Sequence, residues 1–204
     1  GVGAVEQVSN DTQNKPTTVV LCGVGGQGAI TAAHLLAGAA LNEGYDVKVS
    51  EIHGMAQRGG SVVTTVRFGS DVSSMVCDPG QADVLISFEL LEAVRNLPYL
   101  AQGGHIVVND VAIKPMPVLT GAAAMPQGLH GVLEALGEGA AALIDADAVA
   151  DAAGNRKCSN VALLGGAAKY LPISESSWRQ AIEAHVPPKT LETNLRAFSA
   201  TFSH

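Results

Sequence analysis

Residues 17–28 read TTVVLCGVGGQG, a β-branched apolar run that stops at Gly23 and passes through a glycine loop into the helix formers AITAAHLLAGAALNEG of 29–44. A short apolar run cut by glycine is the pattern of a strand buried on both faces. The alanine- and leucine-rich stretch, closing on Gly44 as a left-handed terminator, is the pattern of a helix. Strand, glycine loop and helix make the first half of a βαβ unit. The chain is therefore expected to be an α/β protein with a mostly parallel, Rossmann-like three-layer sheet. Within the loop, Gly23, Gly25 and Gly28 meet the G-x-G-x-x-G spacing. Without Cβ atoms such a backbone turns sharply, and the N–H groups of Gly25, Gly26 and Gln27 are expected beside the positive end of the helix dipole, where phosphate binds. Gly25, Gly26, Gln27 and Gly28 are thus the candidate cofactor-binding set. A plainer reading also stands, in which the glycines only let the helix pack closely on the sheet.

Working outward, DVKVSEI (46–52) alternates as a second strand and ends near Glu51, about where a dinucleotide fold places the acid that grips a ribose hydroxyl. No crossover helix follows. HGMAQRGG (53–60) instead runs directly into SVVTTVRFG (61–69), read as a half-exposed strand. This second glycine-flanked segment carries Arg58, whose guanidinium suits a phosphate or a partner's carboxylate. DVLISF (83–88) reads as a central parallel strand, ELLEAVRNLPYL (89–100) as a helix that must stop near Pro98, and HIVVND (105–110) as the next strand. After an irregular excursion over 111–128 come a helix at 129–138, a strand at 142–145 and a helix opening near Asp145. The C-terminal third is helical. There NVALLGGAAKYL (160–171) is apolar almost all round, with Asn160 as an N-cap candidate, and Ser174 caps the next helix. A helix without a polar face needs cover on more than one side, which makes this one an interface candidate.

Composition bounds the function. Across 204 residues, 47% are hydrophobic and 15% charged, so a substantial core is available. Twelve Lys and Arg against 19 Asp and Glu leave a formal charge of −7, which excludes general electrostatic binding to nucleic acid or anionic membrane. The three cysteines, Cys22, Cys77 and Cys158, are far apart with no C-x-x-C pair, so neither an internal iron–sulfur cluster nor a structural zinc is expected. Residues 1–16 lack a basic stretch followed by an apolar one and are read as a disordered leader to a single domain over 17–204. A cytoplasmic protein is expected. His34, His105, His130 and His185 form no metal spacing, and Cys22 reads as a small core residue.

Five ordered segments carry a more specific signal: GVGGQG (23–28), VSEIHGMAQRGGSVVTTVRFG (49–69), ADVLISFE (82–89), NVALLGG (160–166) and VPPKTLETNLRAF (186–198). Together they resemble the γ-type component of 2-oxoacid:ferredoxin oxidoreductases over residues 17 to 200, and the HGMAQRGG wording is most similar to the indolepyruvate branch. The resemblance implies a division of labour. Enzymes of this family decarboxylate a 2-oxoacid on thiamine diphosphate, pass electrons through iron–sulfur clusters to ferredoxin and deliver the acyl group to coenzyme A. The implied chain carries no cofactor of its own. The resemblance implies that thiamine diphosphate, magnesium and the clusters belong to a large catalytic α subunit, with coenzyme A shared at the boundary; the HGMAQRGG wording points to an aryl-pyruvate such as indolepyruvate, with pyruvate, branched-chain oxoacids and 2-oxoglutarate as the alternatives. No G-D-G with a following Asn for thiamine is present here, in keeping with that division.

On this resemblance the glycine loop faces either the coenzyme A phosphates or the partner's active-site mouth. Glu51, His53, Gln57, Arg58, Gly59 and Asn160 become candidate contacts to the partner or the substrate side. For Arg58 the alternative is to pin its own loop, for His53 it is a proton relay, and for Asn160 it is the helix cap. The rival reading is a free-standing dinucleotide-binding module using Gly23, Gly25, Gly28 and Glu51.

Overall fold

The computed structural model describes residues 15–25, 27–52 and 60–203. Strand β1 (Thr17–Val24) leads into helix α1 (Gln27–Asn42), and β2 (Asp46–Ile52) follows. Gly44, at φ 91°, ends α1 as anticipated: its N–H donates to the Leu41 carbonyl at 2.9 Å and that of Tyr45 to Ala40 at 3.2 Å, a Schellman closure. Strands β3 (Ser61–Gly69), β4 (Ala82–Ser87), β5 (Leu100–Asn109) and β6 (Ala141–Ile144) complete one six-stranded sheet in the order β2-β3-β1-β4-β5-β6. The pairs β1/β4, β4/β5 and β5/β6 are parallel, while β3 runs against both neighbours. Five strands therefore point one way, and the expected mostly parallel α/β sheet is present.

Two readings change here. The 61–69 strand is not half-exposed: it lies inside the sheet between β2 and β1, with Val63, Thr64, Thr65, Val66 and Phe68 all buried. Its mixed Thr and Val sequence disguised this, because a threonine methyl packs as valine does and two of the hydroxyls, on Thr64 and Thr65, are buried without a hydrogen-bond partner. The helix in 89–100 stops before Pro98 as read, but it is shorter than the segment. Helix α2 (Leu90–Arg95) ends before Pro98, and a 3₁₀ turn (Leu97–Tyr99) carries the chain into β5.

Helices α3 (Met116–Leu119) and α4 (Leu129–Glu134) occupy the irregular stretch and its end, and α4 is shorter than anticipated. The helical third comprises α5 (Ala146–Ala153), α6 (Ser159–Ala167), α7 (Glu175–His185) and α8 (Leu191–Thr201). Asp145 caps α5 through the Ala148 N–H, and Ser174 caps α7 through the Ser177 N–H. One sheet face packs on α1 and α5 to α8, through Leu21, Leu35, Ile86, Leu163, Trp178 and Phe198. The other face packs on α2 and α4, through Val20, Leu85, Leu90, Ile106 and Leu133. Helices on both faces give the three layers.

Helix α6 corrects a third expectation. Every residue from Val161 to Ala167 is buried within the chain's own fold, so no partner is needed to cover it. Its two glycines make this feasible. A Cβ on Gly165 would stand 2.6 Å from the Phe198 carbonyl oxygen of α8, and one on Gly166 would overlap Ile144 of β6. The helix is pressed between sheet and α8 at distances only glycine permits.

Candidate functional site

The chain leaves β1 along one sheet face through α1 and leaves β4 along the other through α2, so the topological switch point falls between β1 and β4. In open α/β sheets ligands bind outside the carboxyl ends of the strands at such a point. A crevice of about 220 Å³ lies there. It is lined by Gly23, Gly28 and Phe88, by a wall with Val111 and Ile113 after β5, and by Asp147 and Ser159 from the first turns of α5 and α6. Helix α1 has no acidic side chain in its own first turn, and the acid that shares the crevice with it is Asp147. Asp147 is ion-paired at 3.9 Å with Arg156.

The glycines divide their work. Gly25 is exposed at φ 81° with open space where a Cβ would be, a conformation that favours glycine. Its N–H, however, is committed to the Gly60 carbonyl at 2.7 Å and is not offered to a ligand. The amides of Gln27 and Gly28, in the first turn of α1, lack the i−4 acceptor that later turns have. A Cβ on Gly28 or Gly23 would press on Phe88, at 3.0 and 3.1 Å, so both also serve close packing. Gly26 lies outside the described residues.

The Gly25–Gly60 bond brings the glycine loop to the end of the HGMAQRGG segment. His53, Gln57, Arg58 and Gly59 fall outside the described residues, but Ile52 and Gly60 on either side of them stand at the same carboxyl edge as the loop. Glu51 is exposed on β2, two strands from β1: it pairs with Thr64, and Thr64 pairs with Leu21. That is not the ribose-gripping position, because β3 intervenes, about 5 Å per strand. The geometry departs from a dinucleotide module on this point. Asn160 is not the N-cap of α6. The helix begins at Ser159 after Cys158, Asn160 Oδ1 accepts from the Val161 N–H at 2.9 Å, and the residue lines a separate cavity of about 370 Å³ with Thr31, His185 and Asn194.

Two residues escaped the sequence reading. Glu89 is fully buried and Glu92 is 2% exposed, directly behind the edge. Glu89 caps α2: its Oε1 accepts from the Glu92 N–H, and its Oε2 accepts from the Ile113 N–H at 3.2 Å. Glu92 Oε1 accepts from Ser61 Oγ and from Arg95, both at 2.8 Å. Burial pushes the Glu89 carboxyl above its ordinary range despite its backbone donors, and Glu92 adds to the rise. The available signal was an acidic residue straight after an apolar strand, with a second acid three positions on.

The cysteines do not fit a cluster. Cys22 packs on the α2 face of the sheet and Cys158 on the α1 face, and burial pushes the Cys22 thiol up to about 12. Among the described residues no three His, Cys, Asp or Glu side chains are grouped to hold a metal, and no helix is long and apolar enough to cross a membrane.

Comparison with known proteins gives consistent results. A family model described as pyruvate ferredoxin/flavodoxin oxidoreductase matches residues 18–204. Indolepyruvate oxidoreductase subunit IorB of Thermococcus kodakarensis is 43% identical over 188 residues, covering 90% of this chain and 93% of that one. The common γ subunit of the pyruvate/ketoisovalerate oxidoreductases of the same organism is 30% identical over 89% of this chain and 92% of its own. Among solved structures, the γ subunit of a keto/oxoacid ferredoxin oxidoreductase from Geobacter sulfurreducens superimposes with TM-score 0.67 at 22% identity, covering 91% and 96% of the two chains. A 2-oxoglutarate:ferredoxin oxidoreductase from Magnetococcus marinus, solved with 2-oxoglutarate, coenzyme A and succinyl-CoA bound, has TM-score 0.67 at 21% identity, covering 92% of this chain and 30% of that one.

Proposed function

The chain belongs to the pyruvate ferredoxin/flavodoxin oxidoreductase family, and from that premise we propose that it is the subunit without cofactors of an oxidoreductase acting on indolepyruvate or a related aryl-pyruvate. The observation that carries this reading is the meeting of the glycine loop and the end of the HGMAQRGG segment through the Gly25–Gly60 bond. It joins two of the five family-like segments at the sheet's ligand-binding edge. The 43% identity to an indolepyruvate oxidoreductase subunit supports the aryl-pyruvate choice.

In this reading the large catalytic α subunit holds thiamine diphosphate, magnesium and the iron–sulfur clusters and passes electrons to ferredoxin. The thiamine ring supplies the carbanion chemistry of decarboxylation when bound there. This chain binds and orients. The N-terminal end of α1, with the amides of Gln27 and Gly28, receives a phosphate of coenzyme A, and Gly25 and Gly26 are assigned to the same site. The crevice admits only part of that ligand, the rest lying against the partner. Glu51, His53, Gln57, Arg58 and Gly59 face the partner or the substrate side at the same edge. Asn160 offers a second contact from its own cavity. Ile113, which lines the crevice, and Met116 and Leu119 after it in the chain are 44%, 61% and 64% exposed and offer an apolar docking strip.

The test is co-expression with the large subunit, followed by coenzyme A-dependent oxidation of indolepyruvate with ferredoxin or viologen as acceptor. The complex should turn over and the isolated chain should not. Gly26→Val, which sets a branched side chain next to Gln27 in the sequence, should raise the Kd for coenzyme A about tenfold or more. An unchanged Kd would overturn the phosphate assignment.

A further inference from the structure

We propose that Glu89 is a positioning residue for the crevice: one buried carboxylate fastens the wall formed by Val111 and Ile113 to the first turn of α2. The proposal rests on the reading of the crevice as a ligand site in an oxidoreductase subunit. The 110–113 segment leaves β5 and is tied to three neighbouring elements. Asp110 is tied to β6 and α4, its N–H donating to the Ile144 carbonyl at 2.9 Å and its carboxylate meeting His130 at 2.7 Å, whereas α2 holds the wall residues themselves, the Leu90 N–H donating to the Val111 carbonyl at 2.8 Å and the Ile113 N–H donating to Glu89 Oε2 at 3.2 Å. Both Val111 and Ile113 line the crevice.

Helix capping does not account for Glu89. Asn, Asp and Ser are the preferred caps, and a fully buried carboxylate is costly to desolvate. A cap needs only the bond to the Glu92 N–H. The additional methylene of glutamate lets the second oxygen reach Ile113, so the carboxylate accepts from backbone donors on two segments, α2 and the crevice wall. Glu92 continues the connection in the other direction, to Ser61 beside the Gly60 carbonyl that holds Gly25. The first turn of α2 thus ties the crevice wall to the glycine loop on the far side. The ionisable groups around this pair are Cys22 from β1 and Arg95 from α2 itself.

The experiment is Glu89→Asp, which keeps the cap on Glu92 and withdraws from Ile113. Amide hydrogen exchange on the purified chain should show Ile113 protected in the wild type, at least about tenfold faster exchange there in the variant, and unchanged protection at Glu92. In the complex with the large subunit, KM for coenzyme A should rise about tenfold with kcat within about twofold, since positioning affects binding and leaves chemistry alone. An unprotected Ile113 amide in the wild type, or one unaffected by the substitution, overturns the inference. So does an unchanged KM in a complex that uses coenzyme A. If Glu89→Asp does not fold, Glu89→Gln, which can accept only one of the two donors, is read by the same exchange measurement. Loss of Ile113 protection in a complex indifferent to coenzyme A upholds the tie and instead removes the functional reading on which it was placed.

Discussion

At the residue scale, the chemistry of single side chains follows burial more than sequence type. Cys22 follows a run of apolar residues and its sulfur is fully enclosed, with the thiol pushed up to about 12. It should resist iodoacetamide at pH 8 in the native chain and react on unfolding, as mass spectrometry of the labelled protein will show; rapid native labelling would contradict the enclosure. Glu89 has the opposite linkage to a salt-bridged acid. Its pKa is raised on folding, so over the window above the ordinary carboxyl range the native chain keeps a proton that the unfolded chain releases. Its contribution to stability is therefore complete below that window and falls as pH rises through it. Urea titrations from pH 4 upward should show wild type losing stability relative to Glu89→Gln as pH rises; a difference that does not vary with pH would refute this. The glycines at 23, 25 and 28 were legible as a motif. That the Gly25 amide would be taken by Gly60 was not, because a hydrogen bond across 35 positions leaves no local trace.

At the scale of elements, most strands and helices could be read from apolar runs, caps and glycine stops, since those signals act over a few residues. β1, α1, β2 and the caps at Asp145 and Ser174 are of this kind. The misreadings share one cause, that partners come from distant sequence. Nothing within SVVTTVRFG says that strands will lie on both its sides. An apolar helix likewise looks the same whether its cover is another chain or its own β5, α5 and α8. The Gly165–Gly166 pair was the available hint for α6, because adjacent glycines in a helix lower its propensity and are retained where neighbours come close. Gly165→Ala would drive a methyl into the α8 backbone at Phe198. A loss of about 1–3 kcal/mol in chemical denaturation is expected, although alanine is the better helix former. A more stable variant would mean that α8 is not so close.

At the scale of the whole molecule, the fold class was legible because composition, the opening strand–loop–helix and the order of the motifs all agreed. The candidate interface was not, since the most apolar segment proved to be interior. Among the described residues, exposed large apolar side chains instead follow β5 in the chain at Ile113, Met116, Leu119, Val132 and Leu136, with others at Leu41, Met75 and Val76. Leu119→Lys should leave the isolated chain's thermal stability within about 0.5 kcal/mol of wild type, as a surface change away from buried features. In the co-expressed complex it should weaken association with the large subunit at least about tenfold, measured by titration of separated subunits. Equal affinity would remove this strip from the docking surface.

The reversed direction of β3 has one more consequence. Because it runs against β2 and β1, the chain departs from the sheet at Ile52 and re-enters at Ser61 along a single border, with Gly60 clasped to Gly25. Both margins of that excursion are thereby anchored by main-chain bonds, so the alignment of β2, β3 and β1 is carried by their own ladders on either side of Ile52 and Gly60.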